Sequence, residues 1–185
     1  MPSRTDEVLD FWFGSEGEPG YGEFREAWFR KDPEFDAEVT ARFGELYEQA
    51  VAGDLDGWRD DARSCLALEI VLDQFPRNMF RGDARAFAAD AQARDAARTL
   101  LARADELSPD ERLFAWLPFE HSESLDDQKL ACDVIAPLGE ELLRYAERHR
   151  EIIERFGRFP HRNAILGRAS TPEEMEFLKQ PGSGF

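Results

Sequence analysis

The sequence predicts an all-α fold, and three observations carry the prediction. Apolar residues recur at three- and four-residue steps along most of the chain, alternating strand patterns are absent, and helix-capping residues bracket the periodic runs. About eight or nine helices stacked as antiparallel pairs account for this pattern.

Segment 4–13 carries Val8, Leu9, Phe11, Trp12 and Phe13, and Gly14 closes it. Residues 14–22 are rich in glycine and acid and read as a loop. Asp32-Pro33 pairs an N-cap with a proline at the first helical position. Behind it Phe35, Val39, Phe43, Leu46, Tyr47 and Ala50 form the clearest amphipathic helix, ended by Gly53. Residues 60–74 are apolar around most of a helical circumference, so this helix is expected at the centre, with Pro76 stopping it. An alanine-rich helix is expected over 83–103. Ser108-Pro109-Asp110-Glu111 reads as a capping box opening the next helix, which Pro118 is expected to break or kink. Further helices are expected over 124–135 and 137–156, and Thr171-Pro172-Glu173-Glu174 opens a last short one before a flexible tail at 180–185. No composition shift marks a boundary, so residues 1–185 read as one domain.

A chain of 185 residues with 42% hydrophobic content and fifteen Phe, four Trp and three Tyr has the material for a substantial core. The formal net charge of −16 repels phosphate-rich partners, so neither nucleic acid nor an anionic membrane surface is expected. No apolar run approaches the roughly 18 residues of a membrane span, and the N-terminus lacks a signal-peptide pattern. Cys65 and Cys132 form no Cys-x-x-Cys pair or disulfide framework, which suits the reducing cytoplasm.

Three stretches are too polar to be ordinary connectors: residues 72–82, 117–123 and 155–163. Cations gather in two of them. Residues 148–168 hold six arginines against Glu151 and Glu154, a local +4, and residues 75–85 hold three against Asp83, a local +2. The planar guanidinium fork suits carboxylate and phosphate, so Arg77, Arg81, Arg158 and Arg162 are candidates to clamp a small anion, with Asp73, Gln74, Asn78 and Asn163 around them. Asp73, Glu120 and Glu123 are equally suited to pair with those arginines inside the protein, making a structural network.

All three histidines lie close to these stretches. His161, in a loop between Pro160 and Arg162, and His121, flanked by Glu120 and Glu123, are the candidates for proton transfer. His149 sits at the apolar edge of its helix and reads as a core or capping residue. His121 and His161 with Glu123 or Asp73 offer zinc-ligand chemistry, but no His-Glu-x-x-His pattern or close histidine pair supports a metal. Gly17, Gly20 and Gly22 are not followed by Gly-Lys-Ser/Thr and make no phosphate loop, so no cofactor is expected.

Four motifs carry a resemblance. Asp10-Phe11-Trp12-Phe13-Gly14, the run from Leu72 to Gly82, the run from Leu117 to Glu123 and the run from Arg158 to Arg168 resemble the bacterial family catalogued as domain of unknown function 924, over about residues 6–178. The resemblance implies an all-helical fold grouped with tetratricopeptide-like superhelices, and it implies no activity.

Three functions compete on these residues. The first is a binding module in which Arg77, Arg81, Arg158 and Arg162 hold a small anionic metabolite or a peptide carboxylate or phosphate. The second is an enzyme on a small anionic substrate, with His161 or His121 as general acid/base tuned by Glu120 or Glu123. The third is a scaffold whose polar patch is structural throughout. The sequence leaves the ligand, the catalytic question and the oligomeric state open.

Overall fold

Short side chains that accept from free backbone N–H groups start the helices where the sequence places them. Ser3 and Asp6 make a capping box at the start of α1 (Arg4–Phe13), and Asp32 accepts from the backbone N–H of Glu34 and Phe35 to open α2 (Pro33–Ala52). Gly53 ends α2 in the left-handed conformation that a side chain would resist, with φ at 85°. The remaining helices are α3 (Ala62–Met79), α4 (Asp90–Leu101), α5 (Pro109–Glu120), α6 (Leu125–Ile135), α7 (Glu140–Phe156) and α8 (Pro172–Phe177). This computed structural model describes residues 3–15, 17–23, 25–28 and 30–184, and among them no strand occurs.

The described chain divides into two compact units. Unit 1 comprises residues 1–81 and 85–118, and unit 2 comprises residues 82–84 and 119–185. In unit 1, α3 packs against α1, α2 and α4, as its nearly all-round apolar surface requires. Phe75 of α3 stacks on Phe43 of α2 at 4.6 Å between centroids and meets Trp12 of α1 edge-on at 5.8 Å. Trp12 in turn meets Phe114 of α5 at 5.5 Å and 88°, a T-shaped contact favoured by the ring quadrupoles.

Two helices run through prolines, one read from the sequence as a stop and the other as a break or kink. Pro76 lies inside α3 and Pro118 inside α5. A proline removes one intrahelical donor and pushes on a carbonyl a turn earlier. In α3 the carbonyl deprived of its donor is that of Leu72, and one residue along the Arg77 side chain donates from Nη1 to the Asp73 carbonyl at 2.6 Å. Burial of Leu72, Phe75 and Pro76 holds the last turn in place. The alanine-rich stretch also differs: a short 3-10 turn at Ala84–Phe87 precedes α4, so the α-helix begins only at Asp90.

Unit 2 is built on the packing of α6 against α7. Ile152, Ile153 and Phe159 form its core, flanked by Phe156 and Phe177. The corner between α5 and α6 is fixed by one side chain. Gln128 of α6 donates from Nε2 to the carbonyls of Glu120 at 2.6 Å and Ser122 at 2.7 Å, with a longer approach to Phe119 at 3.4 Å. These are carbonyls that the helix end leaves without intrahelical donors.

Candidate functional site

In unit 1 the predicted residues of α3 are engaged with one another and with nearby carboxylates. Asp73 is fully buried and accepts from Gln74 Nε2 at 2.7 Å. Arg77 bridges Asp73, at 3.1 Å, and Asp90, at 3.0 Å. Arg81 grips Asp36 with two parallel bonds of 2.8 Å, and Asn78 donates to the same carboxylate at 2.8 Å. Asp36 therefore already occupies the fork that was expected to receive a ligand, and its pKa is lowered by Arg81 and Asn78 despite the cost of burial. Arg77 and Arg81 thus belong to internal ion pairs.

Glu69, one turn before Asp73, escaped the sequence reading because it sits in an apolar run. It is fully buried and neither carboxylate oxygen makes a hydrogen bond. Desolvation, reinforced by the charge of Asp73 and partly offset by Arg77, pushes its pKa well above the usual carboxylate range.

In unit 2 the second and third polar stretches come together around Phe159. The Phe159 ring is fully buried, and three polar groups pack on it. The Arg162 guanidinium lies 4.6 Å from its centroid, the His161 ring 5.6 Å and the His149 ring 5.7 Å. A carboxylate holds the platform. Glu123 Oε1 accepts the Phe159 backbone N–H at 2.8 Å, while Arg168 binds both oxygens of Glu123 at 2.6 and 2.9 Å and donates to the Phe159 carbonyl at 3.1 Å. Glu123 thus clamps the backbone of the third stretch.

The other predicted residues of unit 2 separate in the same way. Arg158 is bidentate on Glu174 at 2.6 and 2.8 Å, so this guanidinium also serves an internal pair. Asn163 accepts from Arg168 at 3.0 Å and donates to Ser170 at 3.1 Å. Glu120 faces His149, 3.1 Å from Nδ1, which also lies 2.8 Å from the Tyr145 carbonyl. With the proton on Nδ1 both contacts are satisfied, and His149 is the buried core histidine that its helical position suggested.

Burial sets the imidazole chemistry. It lowers the pKa of His149 to about 3 and, together with the neighbouring Arg162 charge, that of His161 to about 4. His121 acts electrostatically on both, so all three histidines share one local field. Among the described residues no group of histidine, cysteine, aspartate and glutamate side chains is placed to hold a metal ion. The two thiols are buried and free, and burial pushes both pKa values up, Cys65 to about 11.

The matched family can now be set beside this geometry. The family model described as "Bacterial protein of unknown function (DUF924)" matches residues 8–182. The chain belongs to this family. A solved structure of a protein of unknown function from Agrobacterium tumefaciens is similar to this DUF924 chain at 43% identity and a TM-score of 0.86, covering 96% of this chain and 98% of the other. No curated protein matches. The match spans all four motifs quoted above, including the Glu123 clamp and the Phe159 platform.

Acid should weaken unit 2 of this DUF924 protein in two stages. The histidine pKa values are depressed, so their contribution is intact above the unfolded value near 6.5 and is lost as pH falls below it, at about 1.4 kcal/mol per pH unit per imidazole. Glu174, held down to about 2 first by its bond to Arg158, adds a loss as pH falls from about 4.5 to 2. Urea unfolding followed by amide exchange in α7 should show stability dropping from pH 6.5 downward, and a flat profile from 6.5 to 4.5 would contradict the histidine assignment.

Proposed function

We propose that unit 2 binds a small anionic ligand, a carboxylate or phosphate group, against Arg162 and His161, with His121 beside them. One observation carries the reading. An arginine only 7% exposed packs its guanidinium on a buried aromatic ring next to an imidazole that burial keeps neutral. Arginine supplies the charge, and a neutral imidazole supplies a directed donor without adding a second charge.

Binding is favoured over catalysis by the same groups. A general base works best with a pKa near the operating pH, and His161 at about 4 is a weak proton acceptor at neutrality. The tetratricopeptide-like stacking of helices and a cytoplasmic setting belong to the same reading, the latter supported by two free, buried cysteines.

Sulfate tests the proposal because it does not titrate in the working range. In thermal unfolding at constant ionic strength, sulfate should raise the Tm of the wild type, by about 2.7 kcal/mol of stabilisation at a hundredfold excess over Kd. Arg162→Gln should abolish this response and His161→Asn should weaken it. Arg162→Lys, which keeps the charge but loses the fork, should retain a reduced response. An equal response in wild type and Arg162→Gln would remove the site.

A further inference from the structure

The segment after α8 returns to the proposed site. Its sequence, Gln180-Pro181-Gly182-Ser183-Gly184, is short in side chains, so its main chain can lie flat on a neighbour. Arg148 of α7 donates to the Gly182 carbonyl at 3.1 Å, and the Ser183 hydroxyl donates to the Leu178 carbonyl at 3.1 Å. These contacts carry Gly184 over His161, where a Cβ on the glycine would stand 3.6 Å from the histidine Cβ and 3.9 Å from its Cγ. Gly182 holds a left-handed φ of 73°, and a Cβ there would meet Arg148 Nη2 at 2.5 Å. Glycine is thus favoured by the left-handed backbone turn, while the Arg148 end can move aside.

We propose that residues 180–184 form a strap that covers His161 and gates anion entry to the Arg162–His161 site. The inference rests on the anion-binding reading above and adds regulation to it. The segment is exposed along most of its length, which places it at the low-stability end of the unit. Such a strap opens without unfolding α7 or α8. A ligand entering behind it binds with an apparent affinity reduced by the fraction of molecules in which the strap is open. Anything that draws the strap away, or pairs with Arg148 in place of the Gly182 carbonyl, raises that affinity.

Two variants release the strap by different routes. Gly182→Val opposes the left-handed turn, and Arg148→Ala removes the anchor. Neither residue belongs to the anion site. The first readout needs no ligand: the rate at which diethyl pyrocarbonate modifies His161, followed by peptide mass. It should rise roughly tenfold in both variants, as expected for loss of one or two net hydrogen bonds. The second readout is sulfate affinity by calorimetry, which should tighten by a similar factor. An unchanged His161 modification rate would overturn the strap while leaving the anion site standing. Faster modification with sulfate affinity unchanged, or with no sulfate binding in any chain, would overturn the gating.

Discussion

Replacing Phe159 with alanine is expected to destabilise unit 2 by about 3–5 kcal/mol, the usual cost of emptying a buried phenylalanine site. It is also expected to raise the pKa values of His161 and His149 toward 6.5. The two effects share one cause. The ring is completely buried beside Ile152 and Ile153, and its faces and edges are covered by Arg162, His161 and His149. Without it, water reaches both imidazoles and the desolvation that holds them at about 4 and about 3 is relieved. NMR titration of the imidazole protons and urea unfolding of the same sample measure both quantities. Phe159→Leu keeps most of the volume and should cost less stability, which separates packing from electrostatics. Imidazole pKa values that stay below 5 in Phe159→Ala would show that the ring is not what keeps water away.

Glu69→Gln is expected to stabilise unit 1 at neutral pH. The Glu69 carboxylate is buried without hydrogen bonds and faces the charge of Asp73, so its pKa in the folded chain lies above the unfolded value of about 4.5. A carboxyl group with a raised pKa has its full stability below the unfolded value and loses it as pH rises toward the folded one. The loss is about 1.4 kcal/mol per pH unit until the folded pKa is reached. Glutamine has the same shape and no such slope. Wild type and variant should therefore have similar stability near pH 4.5 and diverge above it, with the variant ahead. Chemical denaturation at pH 4.5, 6 and 7.5, read by amide exchange in α3, gives the slope directly. Parallel profiles would mean that Glu69 is ionised in the fold and that Arg77 carries more of its field than the geometry suggests.

The helices were legible in the sequence because their signals are local. The Asp32-Pro33 start, the Gly53 and Gly157 ends and the capping boxes at Ser108 and Thr171 lie within four residues of the structure they control. Pro76 misled because the turn around it is held by burial, which a local window does not show. The polar patch was legible as composition but not as pairing. The partner of Arg81 is 45 residues away at Asp36, that of Arg168 is 45 residues away at Glu123, and that of Arg158 is 16 residues away at Glu174. The local positive balance of residues 148–168 marked a cationic stretch. It said nothing of which arginines were committed, and Arg168 went unnamed as a site residue although it closes the clamp on Phe159.

The lone carboxyl of Glu69, set against the imidazoles of unit 2, gives the chain opposed responses to acidity. Between pH 6.5 and 4.5, protons relieve strain at Glu69 while the unfolded state of unit 2 gains protons that its folded histidines refuse. Mild acid therefore tightens one half of the polypeptide as it loosens the other, and the same drop in pH that firms up α3 favours melting that begins at the C-terminal half.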